Sequence, residues 1–327
     1  MFNIAVDAVG GDNAPHEIVK GVTDAIRKYK VHITLLGPID VIKPLLSDDD
    51  MDRITLHDCK DVVAMSESPS TSFKRKKNSS IQVGLKLVKE GSCHAFLSAG
   101  NTGAVMFTAS MILGRLKGIE RPAISTILPT EKGPVVMMDM GSSMDCKPSH
   151  LSQFSLLGHY FAQTVLGVKD PRVGLLNVGE EKDKGNALTL AAYDEISNLN
   201  VNFKGNVEGK EILSGDFDVI VCDGFVGNVV LKFAESVSKL FYNFFKAEAK
   251  RSLISLFGLL LLKGSLKKFK KKFDYDEYGG APLLGVNGVA IIAHGGAKSI
   301  AIRNAIKMCI RTLDTNMINN INNSLEG

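Results

Sequence analysis

The chain has 327 residues, enough to bury a large core and to form two lobes. Its hydrophobic content of 45% and charged content of 23% are ordinary for a soluble globular protein. The formal charge of +4 is a small difference between 39 basic and 35 acidic groups, so it gives no reason to expect a nucleic-acid partner.

Neither the cysteines nor the amino terminus indicates export or membrane insertion. The five cysteines are odd in number and share no Cys-x-x-Cys spacing, which argues against a disulfide framework or a zinc site. The chain runs from Met1 straight into a predicted strand without the basic and apolar regions of a signal peptide. No apolar stretch approaches the roughly 20 residues that span a bilayer. We therefore expect a cytoplasmic protein.

The hydrophobic pattern predicts an α/β fold in which most strands precede a helix. Pro15 suits a first helical turn, while Gly91 and Gly167 suit helix ends. The residues from 316 onward are predicted to form a frayed helix and tail. The predicted strands lie near 2–7, 31–36, 94–98, 123–128, 134–139, 172–177 and 217–222. The predicted helices lie near 15–29, 79–90, 101–114, 149–166, 185–198, 226–257 and 296–313.

Five of the apolar runs stop abruptly in loops rich in Gly, Asp and Asn. Ligands of parallel α/β sheets bind outside the carboxyl ends of the strands, where such loops lie. Glycine allows close backbone approach, and N–H groups at a following helix start favour an anion. We therefore predict one composite polar site built from the loops at 7–12, 98–103, 139–143, 177–181 and 223–228.

Several familiar motifs do not occur in the sequence. It contains no Gly-x-Gly-x-x-Gly and no Gly-x-x-x-x-Gly-Lys-Ser/Thr, so ordinary dinucleotide and P-loop sites are unsupported. It also contains neither Gly-x-Ser-x-Gly nor His-Glu-x-x-His. Covalent catalysis by Ser or Cys has no local signature, and we expect no metal and no cofactor.

Neutral amides and a few cations are the polar groups that remain in these loops. Lys147 and Lys184 would suit a phosphate as point charges. The amides could be donors to a developing oxyanion, or they could cap helices and hold turns, since Asn is favoured there. These amides belong to Asn101, Asn177, Asn186 and Asn228.

Long motifs over nearly the whole chain resemble the bacterial phosphate acyltransferase family of phospholipid synthesis. They include Asp-Ala-Val-Gly-Gly-Asp at 7–12 and Ser-Ala-Gly-Asn-Thr-Gly-Ala at 98–104. The others lie at 145–148, 174–181 with Lys184 and Asn186, 221–228, and 278–285 with His294. That family transfers a fatty acyl group from acyl carrier protein to inorganic phosphate.

The resemblance implies a mostly parallel sheet flanked by helices in two lobes, like isocitrate dehydrogenase and phosphotransacetylase. It also implies a homodimer with a protruding helical hairpin at 240–275. We predict a first lobe from 1–120 and 290–327. We predict that 121–289 forms a second lobe with the dimer interface and the hairpin. A downstream membrane glycerol-3-phosphate acyltransferase would use the acyl phosphate.

The resemblance also assigns roles to residues. Phosphate dianion needs no activated Ser or Cys, so positioning and preorganised donors could supply catalysis. Lys184 would hold phosphate, while Asn228 and Asn101 would orient or polarise the thioester. His294 could donate a proton to the leaving sulfur, or could equally cap a helix. The further predicted substrate or phosphate residues are Asp7, Gly10, Gly11, Asp12, Gly100, Thr102, Asp145, Lys147, Asn177, Glu180, Asn186, Asp223 and Gly227.

The chain departs from the family pattern at 141–144. Gly-Ser-Ser-Met stands where the family usually has Gly-Ala-Asn, so Ser143 replaces a family asparagine. Serine keeps hydrogen-bonding capacity with a shorter reach. The segment 67–72 also differs from the family, although Lys76, Lys77 and the two following serines at 79–80 match it.

Two blocks of residues could contact a macromolecular partner. A basic surface would steer the acidic acyl carrier protein, although a charge run can also be a solvated face. The apolar run at 253–262, followed by lysines, could lie on an anionic membrane or be buried in a dimer. The predicted contact residues are Lys76, Lys77, Leu256, Leu259, Leu260, Lys267 and Lys268.

Two other functions are compatible with parts of this pattern. One is a coenzyme A-dependent phosphate acetyl- or butyryltransferase of the same fold group, which has no obvious need for the Leu/Lys block. The other is a membrane-associated scaffold without catalysis. The presence of Lys184, Asn186 and Asn228 argues against the scaffold.

Overall fold

The computed structural model describes residues 1–248, 251, 257, 260–264, 277 and 279–326. Most of the predicted hairpin at 240–275 lies outside the described residues, as do Leu256, Leu259, Lys267 and Lys268.

The larger of two sheets has seven strands, in the order β3-β2-β1-β4-β12-β11-β5. Neighbours from β3 to β12 run parallel, whereas β11 is antiparallel to both β12 and β5. The parallel strands therefore end at one edge. Its strands are β1 (Phe2–Asp7), β2 (Val31–Gly37), β3 (Ile54–Asp58), β4 (Ala95–Ser98), β5 (Ala123–Ile124), β11 (Ala281–Leu284) and β12 (Val289–Ile292).

The smaller sheet has five strands, in the order β6-β7-β10-β8-β9. The strands β7, β10, β8 and β9 run parallel, and β6 pairs antiparallel with β7. Residues 135–138 of β7 are fully buried, as expected for a parallel sheet covered on both faces. The strands are β6 (Thr126–Pro129), β7 (Pro134–Met138), β8 (Arg172–Asn177), β9 (Asn202–Glu208) and β10 (Val219–Val221).

Helices follow most of the parallel strands and pack on the sheets. Residues 162–166 extend α6 by one π-helical turn, which ends at Gly167 with φ +77°. The helices are α1 (His16–Lys28), α2 (Ile39–Ile42), α3 (Pro69–Arg75), α4 (Ser80–Lys89), α5 (Thr102–Ile112), α6 (Pro148–Phe161), α7 (Ala187–Ser197), α8 (Gly224–Glu248), α9 (Ser299–Asp314) and α10 (Met317–Glu326).

The predicted α/β fold is confirmed, with differences in some elements. The single strand expected at 123–128 is two strands in different sheets, because the chain changes sheets at buried Ser125. Four strands, β3, β9, β11 and β12, were not predicted. The lobe boundaries remain a prediction. β5 and β11 join the larger sheet, although both fall within 121–289, the predicted second lobe.

One face of α8 exposes a row of large apolar side chains. Their spacing of four or seven residues places them on one side of the helix. Phe233 is 70% exposed and Leu240 is 68% exposed. The other members of this row, called the α8 stripe below, are Phe225, Val229 and Phe244. Within the described residues, we find no helix with the length and apolar character needed to span a bilayer.

Candidate active site

Asp7, at the end of β1, organises the loops at the edge of the larger sheet. Its carboxylate is 1% exposed, accepts a hydrogen bond from the Ser98 hydroxyl (2.7 Å) and accepts another from the Val9 N–H (3.1 Å). Burial raises the pKa of Asp7, although the hydrogen-bond donors oppose that shift. The predicted role of Asp7 in binding substrate stays a prediction, and its buried carboxylate joins the loops after β1 and β4.

The loops after β1, β4 and β12 approach one another closely enough to require glycine. A Cβ at Gly10 would lie 2.3 Å from Asp7 Oδ2 and 2.8 Å from the Gly100 nitrogen. The Asp12 N–H donates to the Gly295 carbonyl oxygen (2.8 Å). These contacts bring together three of the segments predicted to contribute to the site.

Asn101 begins α5 and uses both ends of its carboxamide on the protein backbone. Its Oδ1 accepts from the Ala104 N–H (2.9 Å), which caps the helix. Its Nδ2 donates to backbone carbonyls within residues 64–67. The predicted role of Asn101 in polarising a thioester stays a prediction, and the geometry supplies a structural role.

Asp139 is the centre of a second group of loops, at the edge of the smaller sheet. Its carboxylate is fully buried and accepts from the N–H groups of Ile124 (3.1 Å), Ser142 (3.0 Å) and Ser143 (2.6 Å). The Ser142 hydroxyl also donates to it. Burial raises the pKa of Asp139, against the effect of these donors. The carboxylate thus fixes the loop that follows β7.

Replacing Asp139 with alanine should lower the free energy of unfolding by about 3 kcal/mol, because three buried N–H donors would lose their acceptor. Urea denaturation of both proteins measures the change. Asp145→Ala is the matched control, since Asp145 is exposed in the same loop and should change stability by less than about 0.5 kcal/mol. Equal stability losses in the two variants would contradict the role given to Asp139.

Asn228, near the start of α8, faces the loop that Asp139 holds. Its Cβ lies 3.5 Å from where a Cβ of Gly141 would stand. A Cβ at Gly227 would lie 1.9 Å from the Asp139 carbonyl oxygen, so only glycine allows α8 to start this close. The half-buried Asn228 carboxamide makes no side-chain hydrogen bond to another described residue. It is therefore available to a ligand.

The loop after β8 presents Lys184 and is held by amides. Asn177 donates through Nδ2 to the Lys184 carbonyl oxygen (3.0 Å) and to Asn206 Oδ1 (3.1 Å). Asn186 caps α7 by accepting from the Thr189 N–H (2.9 Å). The Lys184 side chain is exposed, and its ammonium makes no ion pair with another described residue. Asn177 and Asn186 shape the loop, and Lys184 is free to bind an anion.

Lys147 precedes α6, where a buried histidine holds its backbone. The Lys147 N–H donates to His150 Nδ1 (3.1 Å), and His150 Nε2 lies 3.2 Å from Glu120 Oε2. Because Nδ1 accepts, the proton of a neutral ring is on Nε2, where it can donate to the carboxylate. Burial, helped by the Arg121 and Lys147 cations and opposed by Glu120, lowers the pKa of His150.

The free energy of unfolding should fall as pH falls below 6.5, the ordinary histidine value. Since folding lowers the pKa of His150, the unfolded chain binds more protons between the two pKa values, so acid favours unfolding there. His150→Asn should show a smaller loss of stability between pH 7.5 and pH 5.5. Urea denaturation of the wild type and the variant at both pH values measures the difference. His159, whose pKa is also lowered, is present in both proteins and so does not contribute to the difference. An unchanged pH dependence would contradict this role of His150.

The remaining predicted binding residues are dispersed around the two groups of loops. Asp223 caps α8 by accepting from the Val226 N–H (2.9 Å), and Glu180 lies 3.3 Å from the Lys210 ammonium. His294 Nδ1 accepts from the Gly296 N–H (3.0 Å). Thr102 and Asp145 are exposed. Their roles towards substrate remain predictions.

Four of the loops that were predicted to form one composite site, together with the loop after β12, make up two separate groups, one around Asp7 and one around Asp139. Contacts join the β1, β4 and β12 loops around Asp7, and separately join the β7 and β10 loops around Asp139. The hydrogen bonds described above for Asp7, Asp139 and Lys184 each stay within one group of loops. That all five loops share one substrate therefore stays a prediction.

The predicted contact residues that the structure describes differ in their availability. Lys76 is half-buried, and its ammonium binds both the Val62 carbonyl oxygen and Glu67 Oε2 (2.6 Å each). Lys77 is exposed, with its ammonium 4.6 Å from the centre of the Phe73 ring. Leu260 is 55% exposed. Lys76 is thus occupied within the chain, whereas the other two are open to a partner.

Some residues of these loops were missed from the sequence. Ser98 and Asn206 are buried polar residues whose partners lie far along the chain, and buried Asp139 binds both its own loop and Ile124, fifteen residues earlier. His150 pairs with Glu120, thirty residues earlier. The available signal was their position immediately after or next to a buried strand.

Within the described residues, no group of three or more His, Cys, Asp or Glu side chains could hold a metal ion.

Comparison with known proteins identifies the family. The model of the family described as "Fatty acid synthesis protein" matches residues 2–320. The chain belongs to this family. The expected resemblance to phosphate acyltransferases is confirmed, since curated relatives bear that name, and the family is one of acyltransferases.

Two relatives and one solved structure illustrate the similarity. The phosphate acyltransferase of Desulforamulus reducens is 47% identical over 327 residues, which cover 100% of this chain and 98% of the relative. The phosphate acyltransferase of Heliobacterium modesticaldum is also 47% identical, over 329 residues, with 100% and 98% covered. A phosphotransacetylase structure from Streptococcus pyogenes aligns with TM-score 0.64 at 13% identity, covering 95% of this chain and 94% of that one. That structure confirms the fold.

Proposed function

We propose that this chain transfers a long-chain acyl group from acyl carrier protein to inorganic phosphate, forming acyl phosphate for phospholipid synthesis. The observation that carries the proposal is a pair of functional groups in a family whose named relatives are phosphate acyltransferases. Lys184 lies in the loop after β8 and Asn228 lies near the start of α8, after β10, and neither side chain is paired with another described residue.

Lys184 and nearby loop amides bind the phosphate. An exposed ammonium that is unpaired among the described residues attracts a dianion, and the exposed residues 180–186 between β8 and α7 leave room for it. Phosphate dianion is itself a competent nucleophile near neutral pH. The protein therefore has to position it against the thioester carbonyl, which can supply a large part of the rate acceleration.

Asn228 donates a hydrogen bond to the carbonyl oxygen of the thioester. A phosphate oxygen forms the new C–O bond, negative charge develops on the carbonyl oxygen, and the amide stabilises it. The C–S bond then breaks with the electron pair leaving on sulfur. The proton of the phosphate ends on the thiol of the carrier, and His294 is a candidate to relay it. The products are acyl phosphate and free carrier protein.

The cysteines support direct attack by phosphate over an acyl-cysteine intermediate. Thiolates are the reactive form of cysteine, so a raised pKa suppresses nucleophilicity. Burial raises the pKa of Cys146, the cysteine next to the Asp139 loop that is not fully buried, to about 11. Burial also raises the pKa of Cys222, which is fully buried at the end of β10.

Acyl carrier protein docks on a basic surface formed by Lys74, Arg75 and Lys77. Lys74, Arg75 and Lys77 are exposed on or just after α3, and an acidic partner would approach such a surface with electrostatic steering. Lys76 is not part of this surface because its ammonium is held by Glu67 and the backbone.

The α8 stripe and the apolar run at 253–262 mediate homodimer formation and peripheral contact with an anionic membrane. Large exposed apolar surfaces on a soluble protein are typical of interaction sites. Peripheral contact would deliver a lipophilic acyl phosphate to the membrane enzyme that consumes it.

The double replacement of Leu259 and Leu260 by glutamate should abolish co-sedimentation with anionic vesicles, because it places two charges in the apolar run. The protein alone is the control, and size-exclusion chromatography reports its oligomeric state. Unchanged vesicle binding would contradict the membrane contact. Monomer formation or aggregation would instead place these leucines in the dimer interface.

Acyl-phosphate formation by the purified protein tests the proposed activity. Long-chain acyl-acyl carrier protein and the matching acyl-coenzyme A are each incubated with phosphate, and acyl phosphate is trapped with hydroxylamine. We expect product with the carrier protein and little with coenzyme A. Preference for short acyl-coenzyme A would favour the related phosphotransacetylase activity. Absence of product with both would contradict enzymatic function.

A further inference from the structure

Residues 62–67 form a strap that is held against the loops of the larger sheet by the capping residues of two helices, Asn101 before α5 and Lys76 after α3. Asn101 Nδ2 donates to the carbonyl oxygens of Ala64 (3.2 Å), Met65 (2.9 Å) and Glu67 (2.9 Å). Three carbonyls on one amide nitrogen are more than a helix cap requires. Holding the strap explains the burial of the Asn101 amide better than helix capping alone.

Lys76 holds the same strap from its other side. Its ammonium donates to the Val62 carbonyl oxygen and forms a 2.6 Å ion pair with Glu67, whose side chain is 20% exposed. Glu67 also accepts from the Ala64 N–H (3.2 Å), so the pair closes the strap on itself. The hydrogen bond from Lys76 lowers the pKa of Glu67, which keeps the pair charged.

The strap carries Met65 to the loop that follows β12. Met65 Cε lies 2.8 Å from where a Cβ of Gly295 would stand, and Met65 is 46% exposed. Gly295 accepts the Asp12 N–H and follows His294, so Met65 borders the Asp7 group of loops. An unbranched thioether adapts to apolar ligands of varied shape. A partly exposed methionine beside polar loops is therefore suited to contact an acyl chain.

We propose that Asn101 and Lys76 are positioning residues that clasp the strap and thereby present Met65 to the acyl group of the substrate. The identity of the acyl group rests on the proposed function. Asn101 then acts on the substrate through the strap, in place of the direct polarising role expected from the sequence.

Asn101→Asp separates the clasp from the helix cap. Aspartate keeps the oxygen that accepts the Ala104 N–H and is an equally good cap, but it loses the donor to the three carbonyls. Lys76→Met removes the other half of the clasp. Lys74→Met is the matched control for the exchange measurement, since Lys74 is an exposed cation of the same helix.

Hydrogen–deuterium exchange of residues 62–67 tests the clasp independently of activity. We expect at least tenfold faster exchange in Asn101→Asp and in Lys76→Met, and unchanged exchange in Lys74→Met. The double variant should exchange little faster than either single variant, because both side chains hold one strap. Unchanged exchange in Asn101→Asp or in Lys76→Met would overturn the proposal. Asn101→Ser, which also retains a cap, replaces Asn101→Asp if that variant does not fold.

Steady-state kinetics then separate positioning from catalysis. Both clasp variants and Met65→Ala should raise KM for the acyl donor at least fivefold, while kcat and KM for phosphate stay within twofold. A hundredfold loss of kcat in Asn101→Asp, with Lys76→Met like the wild type, would overturn the proposal in favour of direct polarisation. If the wild-type protein forms no acyl phosphate, the proposed function fails, and exchange still decides the clasp.

Discussion

Replacing Lys184 with alanine should reduce kcat/KM for phosphate by about 100-fold, or about 2.7 kcal/mol of transition-state stabilisation. The ammonium is exposed in the loop after β8 and is unpaired among the described residues. Its removal therefore breaks no ion pair with a described residue and affects only the interaction with the ligand. The loop itself should persist, because Asn177 and Asn186 hold it through backbone contacts. Initial rates at varied phosphate, with saturating acyl donor, measure the effect.

Lys182→Ala is the matched control for this prediction. Lys182 lies in the same loop, but its ammonium is 2.9 Å from Asp194 and stands over the Tyr193 ring. Its removal lowers the loop charge equally and should change kcat/KM by less than about twofold, as an exposed ion pair contributes little. Equal losses in both variants would show a general charge effect, and wild-type kinetics of Lys184→Ala would exclude Lys184 from the site.

Replacing Asn228 with aspartate should reduce kcat by about 100-fold while KM for phosphate changes little. Aspartate has nearly the same shape as asparagine, so the contact with Gly141 is retained, but it has no amide donor for the carbonyl oxygen. The loss therefore falls on the transition state, where charge develops on that oxygen. Asn228→Ala should show a similar loss without a new charge.

Asn198→Ala is the control for Asn228. Asn198 is an exposed asparagine after α7 whose amide donates to the Asp194 carbonyl oxygen (2.8 Å), away from the strand carboxyl ends. Its kinetics should match the wild type. Wild-type kcat in Asn228→Ala would remove this amide from the mechanism. A large rise in KM for phosphate at unchanged kcat would reassign Asn228 to phosphate binding.

The strands predicted correctly from the sequence are mostly those buried on both faces. β7 and β10 are apolar throughout and end abruptly in polar loops, so the pattern is unambiguous. β9 lies at an edge and contains Lys204 and Gly205, which interrupt its apolar pattern, so it was not predicted. β11 and β12 are separated by only four residues, so the apolar pattern did not resolve them as two strands.

The sequence indicates which loops follow the strands, but not which of their side chains bind other parts of the chain. Asparagine is favoured both as a cap and as a ligand, and Asn101 meets its partners more than 30 residues earlier in the chain. Asn228 has the same residue type and stays unpaired among described residues, which only tertiary contacts reveal. Asp139 was missed because its donors include Ile124, brought beside it when the chain changes sheets.

Thiol release from acyl-acyl carrier protein, measured with stoichiometric protein in the presence and absence of phosphate, tests the central claim of direct attack by phosphate. We expect no thiol release without phosphate, and one acyl phosphate per thiol when phosphate is added. Release of one equivalent of thiol per protein before phosphate is added would show an acyl-enzyme intermediate and contradict it.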